Sequence, residues 1–263
     1  MVDLEQALDT AVQAAKEAGS CILRGFAGAA EFSIKTDSSD RVTATDMEAQ
    51  HCIMQLLKEQ FPACSILAEE EEGGTFTCSS EERWVIDPLD GTSNFTQKLP
   101  HVATSIALQQ RGESVVGVLF FPVSNELYTA VKGRGAFLNG TPITVQPCSR
   151  LRDAYVGEIF SDRTHRGADV RYPPCTAYRK FGSAVTSLAY LARGSLHATA
   201  LRCALWDIAA AEVILREAGG KLEYAWNGED HERGTLTCIA AVPGIFEEFK
   251  AYAETQYSSG QSR

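Results

Sequence analysis

Hydrophobic and polar residues alternate with a helical period at the start of this chain. Apolar side chains recur every three to four positions across residues 4–22, which predicts an amphipathic helix. A second helix is predicted to begin at Thr45 or Asp46, either of which can cap it, and to continue through Leu57. The chain is therefore expected to open with a pair of helices.

The period changes to that of β-strands between residues 101 and 145. Apolar runs at residues 102–108, 115–121 and 126–131 are separated by turns that contain Gly, Pro or Asn. Strands joined by such short turns run antiparallel to one another. The pattern therefore predicts an antiparallel sheet in this part of the chain.

Strands and helices alternate beyond about residue 150. The clearest helices are predicted at residues 184–193 and 207–218, and a Gly-Gly pair ends the second of them. Because no stretch has the composition of a linker, we expect one compact unit with two halves, residues 1–150 and 151–263. The predicted class is α/β.

Composition and charge limit the possible functions. The chain has 263 residues, enough to bury a sizeable core, and a net charge of −10, which argues against a nucleic-acid partner. No apolar run is long enough to span a membrane, and the acidic N-terminus lacks a signal-peptide core, so the expected location is cytoplasmic. The eight cysteines form no CxxC pair and the five histidines no HExxH, which argues against zinc.

One acidic segment, WVIDPLDGTSNF at residues 84–95, indicates chemistry rather than core packing. An apolar run at residues 84–86 ends in Asp87, and it predicts a buried strand that stops in two carboxylates, Asp87 and Asp90, and in the turn at Gly91. Carboxylate oxygens are the ligands that hard cations such as Mg²⁺ prefer. The alternative is an ordinary end of a strand, in which Asp and Gly only form the turn.

Other acidic residues allow the same two interpretations. Glu69 follows a short predicted strand at residues 65–67, but it also begins a run of four glutamates that would suit a solvated surface. Asp207 and Asp46 each precede a predicted helix and can serve only as N-caps. The carboxylates that together can hold two or three divalent ions are Glu69, Asp87, Asp90 and Asp207. Such a metal cluster is suited to phosphoryl transfer.

Three motifs in order resemble the inositol monophosphatase family, within the larger lithium-sensitive, magnesium-dependent phosphatase superfamily. They are VTATD at residues 42–46, the segment at 84–95 with Pro100, and WDIAA at 206–210 through EAGG at 217–220. The resemblance implies a layered α+β sandwich of αβαβα architecture with two sheets. It also implies a phosphoric monoester hydrolase that uses Mg²⁺, is inhibited by Li⁺ and forms a homodimer.

The resemblance also implies roles for individual residues. The implied metal ligands are Glu69, Asp87, the carbonyl of Leu89, Asp90 and Asp207. Glu69 and Thr92 are the implied catalytic residues, which position and activate the attacking water. The implied substrate-binding residues are Lys35 on a mobile basic loop, Leu89, Asp90, Gly91, Thr92, the turn of Gly182, Ser183 and Ala184, position 200, and Asp207.

Position 200 departs from the family pattern. Inositol-specific members carry a Glu seven residues before the aspartate that corresponds to Asp207, and this chain has Ala200 there. The methyl group removes a polyol contact and leaves the phosphate chemistry intact, so selectivity for inositol phosphates is expected to be lower. Arg202 can contact a second phosphate of the substrate or simply lie on the surface.

Several functions therefore remain open at this point. The first is a phosphomonoesterase for inositol monophosphates or similar sugar phosphates. The second keeps that chemistry and acts on 3′-phosphoadenosine nucleotides, fructose-1,6-bisphosphate or histidinol phosphate. The third is a catalytically silent relative with a regulatory role, which the intact acidic residues disfavour. A calcium-binding module is excluded because the Asp87–Asp90–Gly91 spacing does not fit an EF-hand loop.

Overall fold

A computed structural model of the chain describes most of its length. The described residues are 2–28, 32–34, 41–70, 75–76, 81–159 and 172–260. Lys35, one of the predicted substrate contacts, lies outside them.

Six α-helices are present among the described residues. They are α1 (Leu4–Ala27), α2 (Ala44–Gln60), α3 (Thr92–Thr96), α4 (Ala184–Ala192), α5 (Leu205–Glu217) and α6 (Phe246–Gly260). Short 3-10 helices form at Leu151–Asp153 and Pro243–Ile245.

The described strands form three sheets. The first pair is β1 (Phe32–Ile34) and β2 (Arg41–Thr43). The large sheet contains β3 (Ser65–Ala68), β4 (Thr75–Phe76), β5 (Glu82–Asp90), β6 (Ala103–Gln110), β7 (Glu113–Phe121), β8 (Glu126–Val131), β9 (Ala136–Leu138) and β10 (Thr141–Ile143). The smaller sheet contains β11 (Tyr155–Ile159), β12 (Ala177–Tyr178), β13 (Ala198–Cys203), β14 (Lys221–Trp226) and β15 (Leu236–Ala241).

The large sheet has the order β10-β9-β8-β7-β6-β5-β3-β4, and the smaller one β12-β11-β13-β15-β14. In the large sheet only β3 and β5 pair in parallel. In the smaller sheet β11 pairs in parallel with both β12 and β13, whereas β15 pairs antiparallel with both β13 and β14. Both sheets are therefore mixed, and each combines a parallel part with antiparallel hairpins.

Helices cover the sheets in layers, which gives the predicted αβαβα architecture. Helices α1 and α2 pack on one face of the large sheet, and α4 and α5 pack on its other face, between it and the smaller sheet. Helix α6 packs on β15 and β13. One hydrophobic cluster lies between α1, α2 and the large sheet, and a larger one joins α4, α5, α6 and both sheets.

Local sequence explains where the first two helices begin. Asp3 caps α1, since its side chain accepts the N–H of Glu5. Thr43 and Asp46 form a capping box at the start of α2, so Asp46 is not itself the cap residue. The predicted helices near the N-terminus are confirmed, and the cap of the second lies two or three residues earlier than the predicted Thr45 or Asp46.

Helix α5 approaches the large sheet unusually closely. A Cβ atom added to Gly117 of β7 would lie 2.4 Å from the carbonyl oxygen of Ala210. Only a glycine allows the backbone of the helix to come this near the strand. This contact fixes the depth of α5 between the two sheets.

Strand β5 ends in the two carboxylates, as the sequence predicted, but it contains a register shift that was not predicted. The strand continues through Asp87 to Asp90, and the shift lies between these two residues. Asp87 pairs with Ser105 and Asp90 with Ala103. The three residue-to-residue steps from Asp87 to Asp90 on β5 therefore lie opposite only two such steps on β6. The extra residue makes a bulge, which accommodates Pro88.

The antiparallel sheet predicted for residues 101–145 is confirmed by the pairing of β6 to β10. Helix α4 matches the predicted helix at residues 184–193, and α5 begins two residues earlier than predicted. None of the helices in the described part of the chain combines the length and hydropathy that a membrane crossing requires.

Candidate active site

Three carboxylates meet where β5 ends and α5 begins. Oxygen atoms of Asp87, Asp90 and Asp207 all lie within 4.8 Å of one another. Asp87 and Asp90 are buried, with 1% and 7% of their surface exposed, and Asp207 is half-buried. A cluster of oxygen donors this tight can hold a divalent cation.

The bulge in β5 and the first turn of α5 place these carboxylates. Asp87 Oδ1 accepts the N–H of Leu89 at 2.9 Å, which holds its side chain against the bulge. Asp207 Oδ2 accepts the N–H of Ala204 at 2.7 Å, so it also stabilises the start of α5. The capping interpretation of Asp207 and its interpretation as a cluster member are therefore both correct in part, because the same side chain also supplies an oxygen to the cluster.

Burial and mutual repulsion disfavour the charged forms of the cluster. The pKa of Asp87 is raised well above its usual range by burial and by the negative charges of Glu69, Asp90 and Asp207. The pKa of Asp90 is raised by burial and by Asp207, while a hydrogen bond from Ser183 opposes the shift. A bound cation would relieve this repulsion, so the electrostatics favour a metal in the same place as the geometry does.

Glu69 lies beside this cluster, at the end of the short strand β3. Its N–H donates to the carbonyl of Ile86 at 3.1 Å, which extends the parallel pairing of β3 and β5 by one residue. Its side chain is half-buried, and its charge is the largest contributor to the raised pKa of Asp87 after burial. The first glutamate of the run is therefore directed to the site rather than to open solvent.

Thr92 and Asp46 connect the cluster to α2. The Thr92 hydroxyl lies 3.1 Å from Asp46 Oδ1 and 3.1 Å from the carbonyl of Leu89. Asp46 is fully buried, and its Oδ2 accepts from the N–H and the hydroxyl of Thr43 at 2.8 and 2.5 Å. Burial raises the pKa of Asp46 to about 6, and the charge of Glu70 adds to the shift. Asp46 is thus part of the site as well as of the helix cap.

Gly91 brings the backbone between β5 and α3 into a left-handed turn. Its φ angle is +85°, and an added Cβ would lie 2.5 Å from the carbonyl oxygen of His101. Any side chain would therefore cause both backbone strain and a collision. The turn leads the chain directly from Asp90, at the end of β5, to Thr92, the first residue of α3.

The turn before α4 also reaches the cluster. Ser183 donates its hydroxyl to Asp90 Oδ2 and accepts the N–H of Thr186 at 2.9 Å, so it caps α4 and contacts the site at once. Gly182 and Ala184 flank it. The structure thus brings the predicted turn of Gly182, Ser183 and Ala184 against the predicted metal ligands.

Ala200 requires a correction. Its side chain is fully buried in β13, where it pairs with Ile159 and Ile239 and belongs to the larger hydrophobic cluster. A methyl group in this position is not accessible to a substrate, because the two neighbouring strands and the core enclose it. The expectation that Ala200 contacts the substrate is therefore wrong for this structure, and Arg202 on the same strand is half-buried rather than fully on the surface.

Sequence analysis missed two charged residues near the site. Glu158 on β11 is 1% exposed and accepts the N–H of Gly182 at 2.7 Å. Arg233, between β14 and β15, donates to the carbonyls of Ala68 and Glu69 at 3.3 and 3.4 Å. The apolar residues around Glu158 were the only signal in the sequence, because they imply that its charged side chain is buried. No feature of the sequence marked Arg233.

Comparison with known proteins places this arrangement in context. A model of the inositol monophosphatase family matches residues 3–255. Nus factor SuhB of Vibrio cholerae is 36% identical over 248 residues, which cover 90% of this chain and 92% of that protein. Inositol-1-monophosphatase of Rhizobium meliloti is 35% identical over 242 residues, 88% and 90% of the two chains. The solved structure of an IMPase from Thermotoga maritima has a TM-score of 0.86 at 29% identity and covers 97% of this chain and 99% of that one.

Proposed function

This chain belongs to the inositol monophosphatase family, and from that membership we propose that it is a magnesium-dependent phosphomonoesterase for inositol monophosphates or related small sugar and polyol phosphates. The observation that carries the proposal is the meeting of Asp87, Asp90 and Asp207 within 4.8 Å. Three carboxylates clustered where β5 ends and α5 begins are not explained by packing, since each costs free energy to bury.

The donor set suits magnesium. All the candidate ligands are hard oxygen donors, and two or three ions would be held by Glu69, Asp87, the carbonyl of Leu89, Asp90 and Asp207. When bound, such ions neutralise charge on the phosphate and lower the pKa of the attacking water. The raised pKa values of Asp87 and Asp90 support this assignment, because they reflect carboxylates crowded together in a buried place, where a cation would favour their charged forms.

Thr92 and Glu69 would orient the attacking water. When the Thr92 hydroxyl donates to Asp46, its lone pairs remain able to accept a proton of that water. Glu69 lies beside the cluster and supplies a second acceptor for the protons of that water. Asp46 is the residue that fixes the direction of the Thr92 hydroxyl, because Thr43 holds its carboxylate in place.

The phosphate would lie against the turn at Gly91. The backbone N–H groups that follow Gly91 at the start of α3, together with the Thr92 hydroxyl, are proposed to contact the phosphate oxygens. Lys35 is proposed as a further cationic contact. The alcohol portion of the substrate would then face the turn at Gly182 and Ser183.

A panel of phosphate esters tests the proposal. We expect hydrolysis of inositol 1-phosphate, 2-glycerophosphate or a related ester that depends on added Mg²⁺ and stops on chelation. The panel should include 3′-phosphoadenosine 5′-phosphate, fructose-1,6-bisphosphate and histidinol phosphate, because the same residues can act on any of them. Full turnover after exhaustive chelation would contradict the metal-dependent mechanism.

A second candidate is a non-enzymatic role, which the names of several relatives favour. Proteins called Nus factor SuhB are 33–36% identical to this chain over most of its length. A catalytically silent relative would have no need of the buried carboxylates that persist here. Absence of turnover on the whole panel, in protein shown to bind Mg²⁺, would favour this second role.

We further propose that the protein is a homodimer and that Li⁺ inhibits it, both on the basis of the family. Analytical ultracentrifugation at micromolar concentration tests the first, and a monomer would contradict it. Titration of Li⁺ against Mg²⁺-dependent turnover tests the second, and unchanged turnover at millimolar Li⁺ would contradict it.

A further inference from the structure

Glu158 is a buried carboxylate for which the proposed mechanism has no role. It lies on β11 with 1% of its surface exposed, and its Oε1 accepts the N–H of Gly182 at 2.7 Å. Burying a carboxylate costs free energy, which its contacts in the fold must offset. This hydrogen bond connects β11 to the turn that precedes α4.

The N–H that Glu158 accepts belongs to the turn that contacts Asp90. The next residue, Ser183, donates its hydroxyl to Asp90 Oδ2. On the other side of the turn, Asn94 Nδ2 donates to the carbonyl of Phe181 at 2.8 Å. The peptide group between Phe181 and Gly182 is thus held at its carbonyl by Asn94 and at its N–H by Glu158, and Ser183 follows it directly in the chain.

We propose that Glu158 is a positioning residue for the metal site, which acts through Gly182 and Ser183 to fix the carboxylate of Asp90. The inference rests on the proposed function, since it concerns the cation that Asp90 would hold. A carboxylate suits this task because a charged acceptor holds an N–H more firmly than a neutral one. Gly182 has a φ angle of +68°, so the turn is not in a conformation that most residues would adopt unaided.

Two conservative variants separate positioning from charge. Glu158→Gln keeps an oxygen at the same distance from the backbone and removes the charge, whereas Glu158→Asp keeps the charge and withdraws the oxygen from Gly182. If Glu158 is a positioning residue, the Asp variant should bind Mn²⁺ roughly tenfold more weakly than the wild type, as is usual when a partner of a metal ligand is lost. The Gln variant should stay within about threefold of the wild type.

Thr199→Val is the matched control. The Thr199 hydroxyl donates to the backbone carbonyl of Glu158 at 2.9 Å, and the residue is fully buried. The variant removes a buried hydrogen bond at the same point of the sheet without touching the turn. It should lower the midpoint of thermal unfolding and leave the affinity for Mn²⁺ unchanged.

The measurement is isothermal titration of Mn²⁺ into the chelator-treated full chain, followed by kcat with Mg²⁺. The opposite order, in which Gln binds weakly and Asp binds normally, would overturn the inference in favour of a charge effect. Equal affinity for Mn²⁺ in all the variants would mean that Glu158 only stabilises the fold, and this result would also overturn the inference.

A double-mutant cycle gives an independent test. If Glu158 acts through Ser183, then Ser183→Ala should weaken Mn²⁺ binding, and adding Glu158→Asp to it should cause little further loss. Additive losses would overturn the inference. Because binding is measured without substrate, a wild type that binds Mn²⁺ and hydrolyses no ester contradicts the proposed function alone.

Discussion

At the scale of single residues, the acidic side chains of the site each satisfy two demands. Asp46 completes a capping box and also accepts from Thr92, and Asp207 holds the first turn of α5 while an oxygen of it joins the cluster. Their helical positions could be predicted from the sequence, because a cap depends on neighbouring residues. The sequence alone could group Asp207 with Asp87 and Asp90 only as a possibility, which the family resemblance strengthened, because their meeting depends on how distant elements pack.

Asp90→Asn should abolish phosphatase activity with little change in fold. A neutral amide cannot offset divalent charge at the centre of the cluster, so we expect kcat to fall roughly 10³-fold or more, about 4 kcal/mol in the barrier. Circular dichroism and kcat with saturating Mg²⁺ are the measurements, and the exposed Asp9→Asn serves as control. A variant that retained a tenth of the wild-type kcat would contradict the metal assignment.

Thr92→Ala should lower kcat more than it raises KM. The hydroxyl is assigned to the attacking water, so its loss is felt mainly in the transition state. Thr92→Ser keeps the hydroxyl within reach of Asp46 and should retain most of the activity. If KM rose while kcat stayed constant, Thr92 would be a substrate contact instead.

At the scale of elements, helix α5 decides whether the two parts of the site meet. The sequence predicted the helix from its apolar run and its final glycines, but not the closeness of its approach to β7. The bulge in β5 was missed for a related reason. A register shift depends on the partner strand β6, and nothing in the local sequence except Pro88 signals it.

Gly117→Ala tests the packing of α5. The added methyl would collide with the Ala210 carbonyl, and we expect a loss of about 1–3 kcal/mol in the free energy of unfolding by urea. Because the helix must move away to relieve the collision, Asp207 should move with it and kcat should fall. The control is Gly228→Ala, where an added Cβ has no neighbour within 4 Å. Equal stability of the two variants would contradict the close approach.

His197 should make the smaller sheet sensitive to acid. Its Nδ1 accepts the N–H of Tyr155 at 2.9 Å, and burial lowers the pKa of the imidazole below its usual value. As pH falls through about 6.5, the unfolded chain takes up the proton before the folded one, so the free energy of unfolding decreases until the pH passes the folded pKa.

His197→Asn keeps an acceptor near Nδ1 and cannot titrate. Urea unfolding at several pH values between about 7 and 5 should therefore show a shallower loss of stability than in the wild type. Replacing the exposed His51 with Asn should leave the slope unchanged. An identical slope in the His197 variant would mean that protonation of this residue does not affect folding.

At the scale of the whole molecule, the site depends on both sheets and the helices between them. Asp87 and Asp90 lie on the large sheet, and Asp207 lies on the helix that also packs against the smaller sheet. The family resemblance of the motifs predicted the layered architecture, but it did not predict that Glu158 and Ala200 are buried. Those two depend on the pairing of β11 with β13, which no pattern within either strand specifies.

Magnesium should therefore stabilise the folded chain. A ligand that binds only the folded state at 100 times its dissociation constant adds about 2.7 kcal/mol to the free energy of unfolding. Differential scanning calorimetry should show a higher Tm with Mg²⁺ than with a chelator, and the Asp90→Asn variant should show a much smaller rise. An equal rise in that variant would locate the binding elsewhere.

The crowding of buried carboxylates also has a consequence for protein engineering. Without cations these side chains oppose folding, so a search that rewards thermal stability alone would replace them with apolar residues of similar size. The most thermostable redesigns of this chain would then be the ones that had lost their chemistry. A library selected for heat resistance should be depleted first of aspartate at positions 87 and 90, unless the selection also demands turnover.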